Sequence, residues 1–279
     1  MKRMAALRRE YHQQLCDQIL SLDADGAPNN ADKHSPLSVA LAKGILRQIG
    51  LPISSARQSG QTSGKLFERV TASYLENAFA LLHHLRPGRW IFTIGKRIED
   101  FEQYEHLALL AETLLAHKEL RATLGDYLIN PDIVIGRLPL TDEEINRHHA
   151  IVEGSNIAQF TPLRICNSQK PMLHASVSCK WTIRSDRSQN ARTEGLNLIR
   201  NRKGNTPHIV IVTAEPYPQR IASLALGTGD IDCVYHFALP ELQAIVQDQE
   251  SESLQEMLDI LISGKRLRDI SDLPFDLAV

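Results

Sequence analysis

Apolar residues recur at spacings typical of helices in some segments of the chain and of strands in others. Near the start, Leu7, Tyr11, Leu15 and Ile19 follow one another at intervals of four, which is typical of the buried face of a helix. Stretches rich in Asn, Gly, Pro and Ser at 23–36 and 52–64 are predicted to be irregular loops. Apolar spacing together with Pro and Gly breaks predicts further helices over 37–49, 65–85, 100–124, 188–201 and 239–262.

Shorter apolar runs predict the strands of a sheet. They cover residues 129–135, 173–183, 208–213 and 232–237. A helix is predicted between the second and third runs, and a strand–helix–strand unit of this kind places its two strands parallel in one sheet. The pattern therefore indicates an α/β fold.

Composition narrows the class of protein. The chain has 279 residues, with 31 Lys and Arg against 33 Asp and Glu, and this balance excludes a general polyanion binder of the histone type. No apolar run approaches the roughly 20 residues of a membrane-spanning helix, and the N-terminus has no signal-like apolar block. The four cysteines form no CxxC pair, so neither a disulfide framework nor a structural zinc site is expected. These features predict a reduced, cytoplasmic protein with no membrane partner.

Positive charge is concentrated in one segment. Between residues 180 and 203 there are seven basic and two acidic side chains. Charge alone leaves two interpretations open, a solvated surface helix and a surface that contacts nucleic acid.

The strand predicted at 173–183 carries a lysine where a charged side chain is unusual. Alternation assigns one face to apolar residues and Cys179, and the other face to polar residues that include Ser178 and Lys180. A lysine inside a sheet either lies at an exposed edge or has a chemical role.

Three carboxylates are candidates to act with Lys180. Asp132 begins the apolar run DIVI, Glu194 lies in the helix after the lysine strand, and Glu68 heads an apolar helical stripe. Each also has a purely structural interpretation. Asp132 could form a turn, Glu194 could pair with a nearby basic residue, and Glu68 could interact with the helix dipole in the first turn. Taken together they suit Mg²⁺-dependent phosphodiester hydrolysis, which requires hard oxygen ligands and a cation near the attacked phosphate.

Other chemistries fit less well. A Ser-x-x-Lys nucleophile requires serine at Val177, and the phosphate-loop-like GTGDID at 227–232 precedes a predicted strand instead of a helix. No HExxH motif occurs.

Two groups of motifs resemble known nucleases. Pro131-Asp132 with Ser178-Cys179-Lys180 resembles the PD-(D/E)xK nucleases, in a variant where Ser178 replaces the usual acid and the following helix supplies one, matched by Glu194. Longer blocks resemble the NgoMIV family of type II restriction endonucleases over nearly the whole chain: SCKWTIRSDRSQNARTEGLNLIRNRKG, GQTSG, RPG, HIVIVTAEP, ALGTGDIDCVYHFAL and GKRLRDISDLPFDLAV. The resemblance implies a restriction-endonuclease-like core in one domain, 1–279, with a central mixed sheet flanked by helices.

The resemblance also implies a reaction. The expected activity is Mg²⁺-dependent cleavage of both strands of duplex DNA at a palindrome with a CCGG core, with GCCGGC as the expected site, cut before the first C of CCGG to leave 5′ overhangs. Asp132 and the backbone carbonyl of Cys179 would bind the metal, and Lys180 would orient the attacking water. Glu194 and Glu68 would complete the acidic cluster.

Six further residues are expected from the resemblance to contact DNA. The inner base pairs would be recognised by Arg184, Asp186 and Arg187 in the major groove, where arginine pairs with guanine and a carboxylate with cytosine. Gln61 would probe the minor groove, and Asp32 and Arg220 would contact the outer base pairs. Lys33 and His34, which follow Asp32, differ from the family pattern, so another outer base pair remains an alternative.

Expected partners and rival functions complete the prediction. Besides double-stranded DNA, the resemblance implies a homotetramer of two dimers and a host DNA methyltransferase as a functional, non-physical partner. One rival is a repair or junction nuclease of the same catalytic class, and the other is a sequence-specific DNA-binding protein without catalysis.

Overall fold

The centre of the molecule is one mixed β-sheet whose strands lie side by side in chain order. The computed structural model describes residues 3–53, 59–117, 119, 122, 129–153, 156–183, 185–227, 229–249 and 251–279, without the side chains of 185–189. Over these residues the sheet consists of β1 (Trp90–Ile94), β2 (Ile133–Arg137), β3 (Met172–Lys180), β4 (His208–Thr213), β5 (Cys233–His236) and β6 (Leu267–Asp269). β1 with β2 and β2 with β3 pair antiparallel, and β3 to β6 run parallel.

Helices connect and cover these strands. They are α1 (Met4–Gln18), α2 (Pro36–Ile49), α3 (Gly60–Leu81), α4 (Ala108–Ala116), α5 (Asp142–Ile145), α6 (Ser185–Asn201), α7 (Pro218–Ala225), α8 (Leu239–Gln247), α9 (Glu252–Ser263) and α10 (Leu273–Asp276). Two 3₁₀ turns, Ile98–Asp100 and Glu102–Leu107, precede α4. In the part of the chain that the structure describes, no helix combines the length and the apolar character needed to cross a membrane.

Apolar clusters on both faces of the sheet hold the helices against it. Ile133 and Ile135 of β2 belong to one buried cluster that includes Phe67 of α3, whereas Val134 belongs to a second cluster with Leu198 of α6. Neighbouring residues of a strand point to opposite faces, so helices lie on both sides of the sheet. The expected mixed sheet flanked by helices is confirmed.

Two local predictions are also confirmed. The four-residue spacing at the N-terminus corresponds to α1 and its C-cap residue, where Leu7, Tyr11, Leu15 and Ile19 are buried. β3 and β4 pair parallel with α6 between them, and β4 has the predicted bounds.

α3 begins earlier than the apolar spacing predicts. The Ser59 hydroxyl accepts a hydrogen bond from the Thr62 amide at 3.2 Å and caps the helix, which starts at Gly60. Residues 60–64 of the predicted loop are therefore helical, and residues 54–58 of that loop lie outside the described part of the chain.

Several other predicted bounds were wrong. β2 begins at Ile133 and not at 129, because Pro131 has no amide hydrogen to donate to the sheet. The predicted helix over 239–262 is two helices, α8 and α9. The predicted helix at 100–124 begins as 3₁₀ turns, and most of 118–128 lies outside the described residues.

Candidate active site

One carboxylate oxygen lies at the junction of β2 and β3. The antiparallel register pairs Ile133 with Val177. Asp132 lies one residue beyond this last pair, beside the residues of β3 that follow Val177. Its Oδ2 accepts hydrogen bonds from the Cys179 amide at 2.7 Å, the Lys180 ammonium at 3.3 Å and the Ser178 hydroxyl at 3.4 Å. The residues of the predicted PD and S-C-K motifs are therefore in direct contact.

The backbone of Lys180 is fixed by the end of β4. Its carbonyl accepts hydrogen bonds from the Thr213 hydroxyl at 2.7 Å and from the Ala214 amide at 3.3 Å. The Lys180 side chain is 17% exposed and that of Asp132 is 27% exposed. An ion pair that is screened only in part by water is stronger than one on the open surface.

Two more carboxylates approach this pair from α3 and α6. Glu68 and Glu194 are both half-buried. Burial raises the pKa of each, and the nearby charge of Asp132 raises both pKa values further, whereas Lys180 lowers them. Asp132 is in direct contact with the Lys180 ammonium, and Glu68 and Glu194 lie near enough for the charges of this pair to act on them. The predicted residues Asp132, Ser178, Lys180, Glu68 and Glu194 are brought together at one edge of the sheet.

The donor set of this cluster fits a hard divalent cation. The charge of Asp132 raises the pKa values of Glu68 and Glu194, and added positive charge would offset this repulsion. Carboxylate oxygens are the ligands that Mg²⁺ prefers. Among the described residues no group of three His, Cys, Asp or Glu is arranged to hold a metal by itself. Mg²⁺ in proteins commonly binds through one or two carboxylates together with waters and substrate phosphate.

Cys179 presents only its backbone to this cluster. Its side chain is buried within the larger apolar cluster, as the strand alternation predicts. Burial raises the pKa of the Cys179 thiol well above its usual value. A thiol held neutral in this way is a poor metal ligand, so any contribution of Cys179 comes from its peptide group.

The acidic cluster opens into a cleft that reaches the expected DNA-contacting residues. The cleft has a volume of about 1670 Å³, and Glu68, Asp132 and Lys180 lie on its wall with Asp32, Gln61 and Arg220. Gln61 is exposed in the first turn of α3. The Arg220 guanidinium forms an ion pair with the Asp32 carboxylate. The two residues expected at the outer base pairs are therefore direct neighbours.

The inner recognition segment is described only in part. Arg184 and the side chains of Asp186 and Arg187 lie outside the described residues, although the backbone at 186 and 187 belongs to α6. Ile183, which directly precedes Arg184, lies on the wall of the cleft.

Sequence reasoning missed a buried acid next to this segment. Glu215 has no exposed surface, and its carboxylate accepts a hydrogen bond from the Ile183 amide at 2.9 Å. Its signal in the sequence was its position two residues after the apolar run at 208–213. Side chains just beyond the carboxyl ends of parallel strands line the functional edge of such a sheet.

Comparison with known proteins defines the class. A family model described as NgoMIV restriction enzyme matches residues 11–279, and the chain therefore belongs to this family of type II restriction endonucleases, which are site-specific deoxyribonucleases. One curated relative, the type II restriction enzyme NgoMIV of Neisseria gonorrhoeae, is 51% identical over 98% of this chain and 97% of the relative. The resemblance inferred from the sequence motifs is confirmed.

Solved structures of other restriction endonucleases are more distant. A complex of PspGI with substrate DNA is 14% identical over 99% of this chain and 92% of that chain, with a TM-score of 0.37. Bse634I, a type IIF restriction endonuclease solved with cognate DNA, is 15% identical over 91% and 92% of the two chains, with a TM-score of 0.36.

Proposed function

We propose that this restriction endonuclease requires Mg²⁺ and cuts both strands of GCCGGC before the first C of CCGG, leaving 5′ overhangs. The observation that carries this proposal is the contact of Asp132 with the Ser178-Cys179-Lys180 segment, beside Glu68 and Glu194, in a cleft shared with Asp32, Gln61 and Arg220. Membership of the NgoMIV family supports the choice of site.

Asp132 and Lys180 have complementary roles in this proposal. Asp132 and the Cys179 carbonyl would hold Mg²⁺, which would supply Lewis-acid activation of the scissile phosphate and of the attacking water. The Lys180 ammonium is held by Asp132 at 3.3 Å, where it orients the attacking water and stabilises the charge that develops on the phosphate. Ser178 steadies Asp132, and Glu68 and Glu194 keep the cluster negative enough to attract a cation.

Base reading uses a separate set of side chains. Arg184 and Arg187 contact guanines and Asp186 contacts cytosine, which are the pairings that the geometry of the base edges favours. Gln61 at the start of α3 reaches the minor groove. The Asp32–Arg220 pair recognises the outer base pair, with the acid directed at cytosine and the arginine at guanine.

End sequencing tests the proposal directly. Plasmid DNA with one GCCGGC site is incubated with the protein and Mg²⁺, beside the same plasmid with that site altered and a reaction with chelator. We expect one linear product with CCGG overhangs from the first reaction only. Random nicks would favour a repair or junction nuclease, and site-specific binding without cleavage would favour a non-catalytic DNA-binding protein.

We further propose the assembly and the biological partner implied by the family resemblance. The protein forms a tetramer of two dimers in the cytoplasm, and a host methyltransferase protects the same site. Sedimentation of the purified protein with and without duplex DNA checks the assembly, and a mass of two chains in both conditions would contradict it.

A further inference from the structure

The last residue of β4 and the two residues after it form a buried segment. Thr213, Ala214 and Glu215 have no exposed surface. A carboxylate in such a place is costly unless other groups compensate its charge and its hydrogen-bonding capacity. The partners of Glu215 therefore indicate what this segment stabilises.

The partners of Glu215 include one residue of the proposed DNA-reading machinery and one that directly adjoins it. The Glu215 carboxylate accepts hydrogen bonds from the Ile183 amide at 2.9 Å and from the Tyr217 amide at 3.3 Å. It also lies 3.9 Å from the guanidinium of Arg220. Ile183 is the last residue before Arg184, so one carboxylate holds both the entry to the inner recognition segment and the arginine expected at the outer base pair.

The backbone of the same segment reaches the cutting and outer-pair residues. The Thr213 hydroxyl accepts a hydrogen bond from the Glu215 amide at 3.1 Å and donates one to the carbonyl of Lys180 at 2.7 Å. The Ala214 carbonyl accepts a hydrogen bond at 2.8 Å from the side-chain amide of buried Asn30, two residues before Asp32. Residues 213–215 thus contact Lys180, the residue before Arg184, Arg220 and, through Asn30, the loop that carries Asp32.

Arg220 is held between two acids of different exposure. One nitrogen of its guanidinium pairs with Asp32 in the cleft, and another faces the buried Glu215. When Asp32 turns to a base, Glu215 still holds the guanidinium on its inner side. Because an arginine fixed in this way loses less freedom on binding, its contact with a base is more selective.

We propose that Glu215 is a specificity-determining positioning residue, which fixes Ile183, at the entry to the Arg184–Arg187 segment, and Arg220 in register with Lys180. It acts through these groups and touches neither the expected path of the bases nor the scissile phosphate. The inference rests on the proposed function, because it assumes that the segment and Arg220 read bases.

Two substitutions separate the features of the carboxylate. Glu215→Gln keeps the volume and can still accept from the Ile183 amide, but it removes the charge that faces Arg220. Glu215→Asp keeps the charge, but it is shorter by one methylene and cannot satisfy Ile183 and Arg220 together. Glu241→Gln is the matched control, because Glu241 also pairs with an arginine, Arg8, outside the cleft.

The experiment is an internal competition between two duplexes that differ only in the outer base pair, GCCGGC and ACCGGT, cut in one tube above pH 7 with Mg²⁺. The ratio of the two kcat/KM values is independent of the fraction of active protein. We expect the ratio of kcat/KM for GCCGGC to that for ACCGGT to be about tenfold lower in both Glu215 variants than in wild type, and unchanged in Glu241→Gln. The single-turnover rate on saturating GCCGGC should stay within about threefold of wild type, since base reading and phosphate chemistry use separate groups.

The possible outcomes lead to different conclusions. An unchanged ratio in both variants would overturn the inference and leave only a structural role for Glu215, and the same loss in Glu241→Gln would overturn it too. If Glu215→Gln does not fold, the ratio of Glu215→Asp decides. A wild-type protein that cuts neither duplex would overturn the proposed function itself, and the inference with it.

Discussion

At the scale of single residues, the site depends on one oxygen atom that accepts from three consecutive residues. Asp132 Oδ2 accepts from a hydroxyl, an amide and an ammonium of Ser178, Cys179 and Lys180. The amide and hydroxyl bonds fix the carboxylate whether or not the lysine is present. The site can therefore lose Lys180 without losing the position of Asp132.

Lys180→Ala separates cutting from binding. Because the Asp132 carboxylate keeps its other two donors, we expect site-specific binding to remain within a few-fold of wild type, while the cleavage rate falls by about 10²–10³-fold or more. Gel-shift titration and single-turnover cleavage measure the two effects. Lys170→Ala is the control near the opposite end of β3, where Lys170 donates to the Glu99 carbonyl, and it should cut normally. An equal loss of binding in Lys180→Ala would contradict the division of roles.

The buried carboxyl of Glu215 predicts a pH dependence of stability. Burial raises the pKa of Glu215 from its usual 4.5 to about 7, against the lowering effect of its hydrogen bonds and Arg220. Between these values the unfolded carboxyl is ionised and the folded one keeps its proton, so unfolding releases a proton and the free energy of unfolding falls as pH rises. Below 4.5 and above 7 this contribution is constant.

Denaturant titrations of wild type and Glu215→Gln from pH 4 to pH 8 test this sign. The free energy of unfolding of wild type, measured relative to the variant, should fall by roughly 3 kcal/mol across the window. The variant is its own control, because all other titrating groups are shared. Parallel curves for the two proteins would show that Glu215 titrates at the same pH in the folded and unfolded chains.

At the scale of elements, the helix that carries Glu194 lies very close to the loop before β5. A Cβ atom added at Gly195 would lie 2.7 Å from the Asp230 carbonyl oxygen and 3.3 Å from a methyl of Ile209. Backbone cannot yield as a flexible side chain can. The absence of a side chain at Gly195 therefore allows α6 to pack this close to the sheet. The position of the neighbouring Glu194 depends on that distance.

Gly195→Ala should destabilise the protein by about 1–3 kcal/mol, since α6 must move outward to relieve the overlap. Denaturant unfolding measures the loss, and cleavage should fall with it as Glu194 withdraws from Asp132. Gly64→Ala is the control, because that helical glycine has open space around its Cβ position and alanine favours a helix by up to about 1 kcal/mol. Equal stabilities of the two variants would mean that α6 accommodates the added methyl group at Gly195 without loss of stability.

The elements were predictable from the sequence to the extent that they are periodic. α1, β4 and the parallel β3–β4 pair follow from spacing, and Asp132, Lys180 and the acids were identified from motifs. β1 and β6 were missed, because Trp90–Ile94 does not alternate apolar with polar residues and Leu267–Asp269 is too short to show alternation. Glu215 and the distance of Glu194 from Asp132 depend on packing across the sheet, which no local pattern encodes.

At the scale of the whole molecule, the parallel half of the sheet gathers its strand ends at one edge. Lys180 pairs with Thr213, Thr213 with His236 and His236 with Asp269, so the last residues of β3 to β6 form a row. Lys180 at one end of this row belongs to the acidic cluster. Asp269 at the other end pairs with the first helix of the chain.

At the Asp269 end of this row, an arginine from α1 binds two carboxylates. Arg8 donates to the Glu241 carboxylate at 2.8 and 2.6 Å and to the Asp269 carboxylate at 2.9 Å with two nitrogens. Burial raises the pKa values of both acids, but the bonds from Arg8 outweigh it and hold them below their usual range. A single side chain therefore ties the N-terminal helix to α8 and β6.

Arg8→Met should leave two largely buried carboxylates without their cation and lower the free energy of unfolding by about 3–5 kcal/mol at neutral pH. The deficit should shrink as acid neutralises the two carboxylates, since a depressed pKa contributes stability only above the pH at which the unfolded acids ionise. Denaturant titrations at neutral and acidic pH measure both effects. Arg9→Met, at the exposed neighbouring position, should change stability little. A deficit independent of pH would mean that Arg8 acts through packing alone and not through its charge.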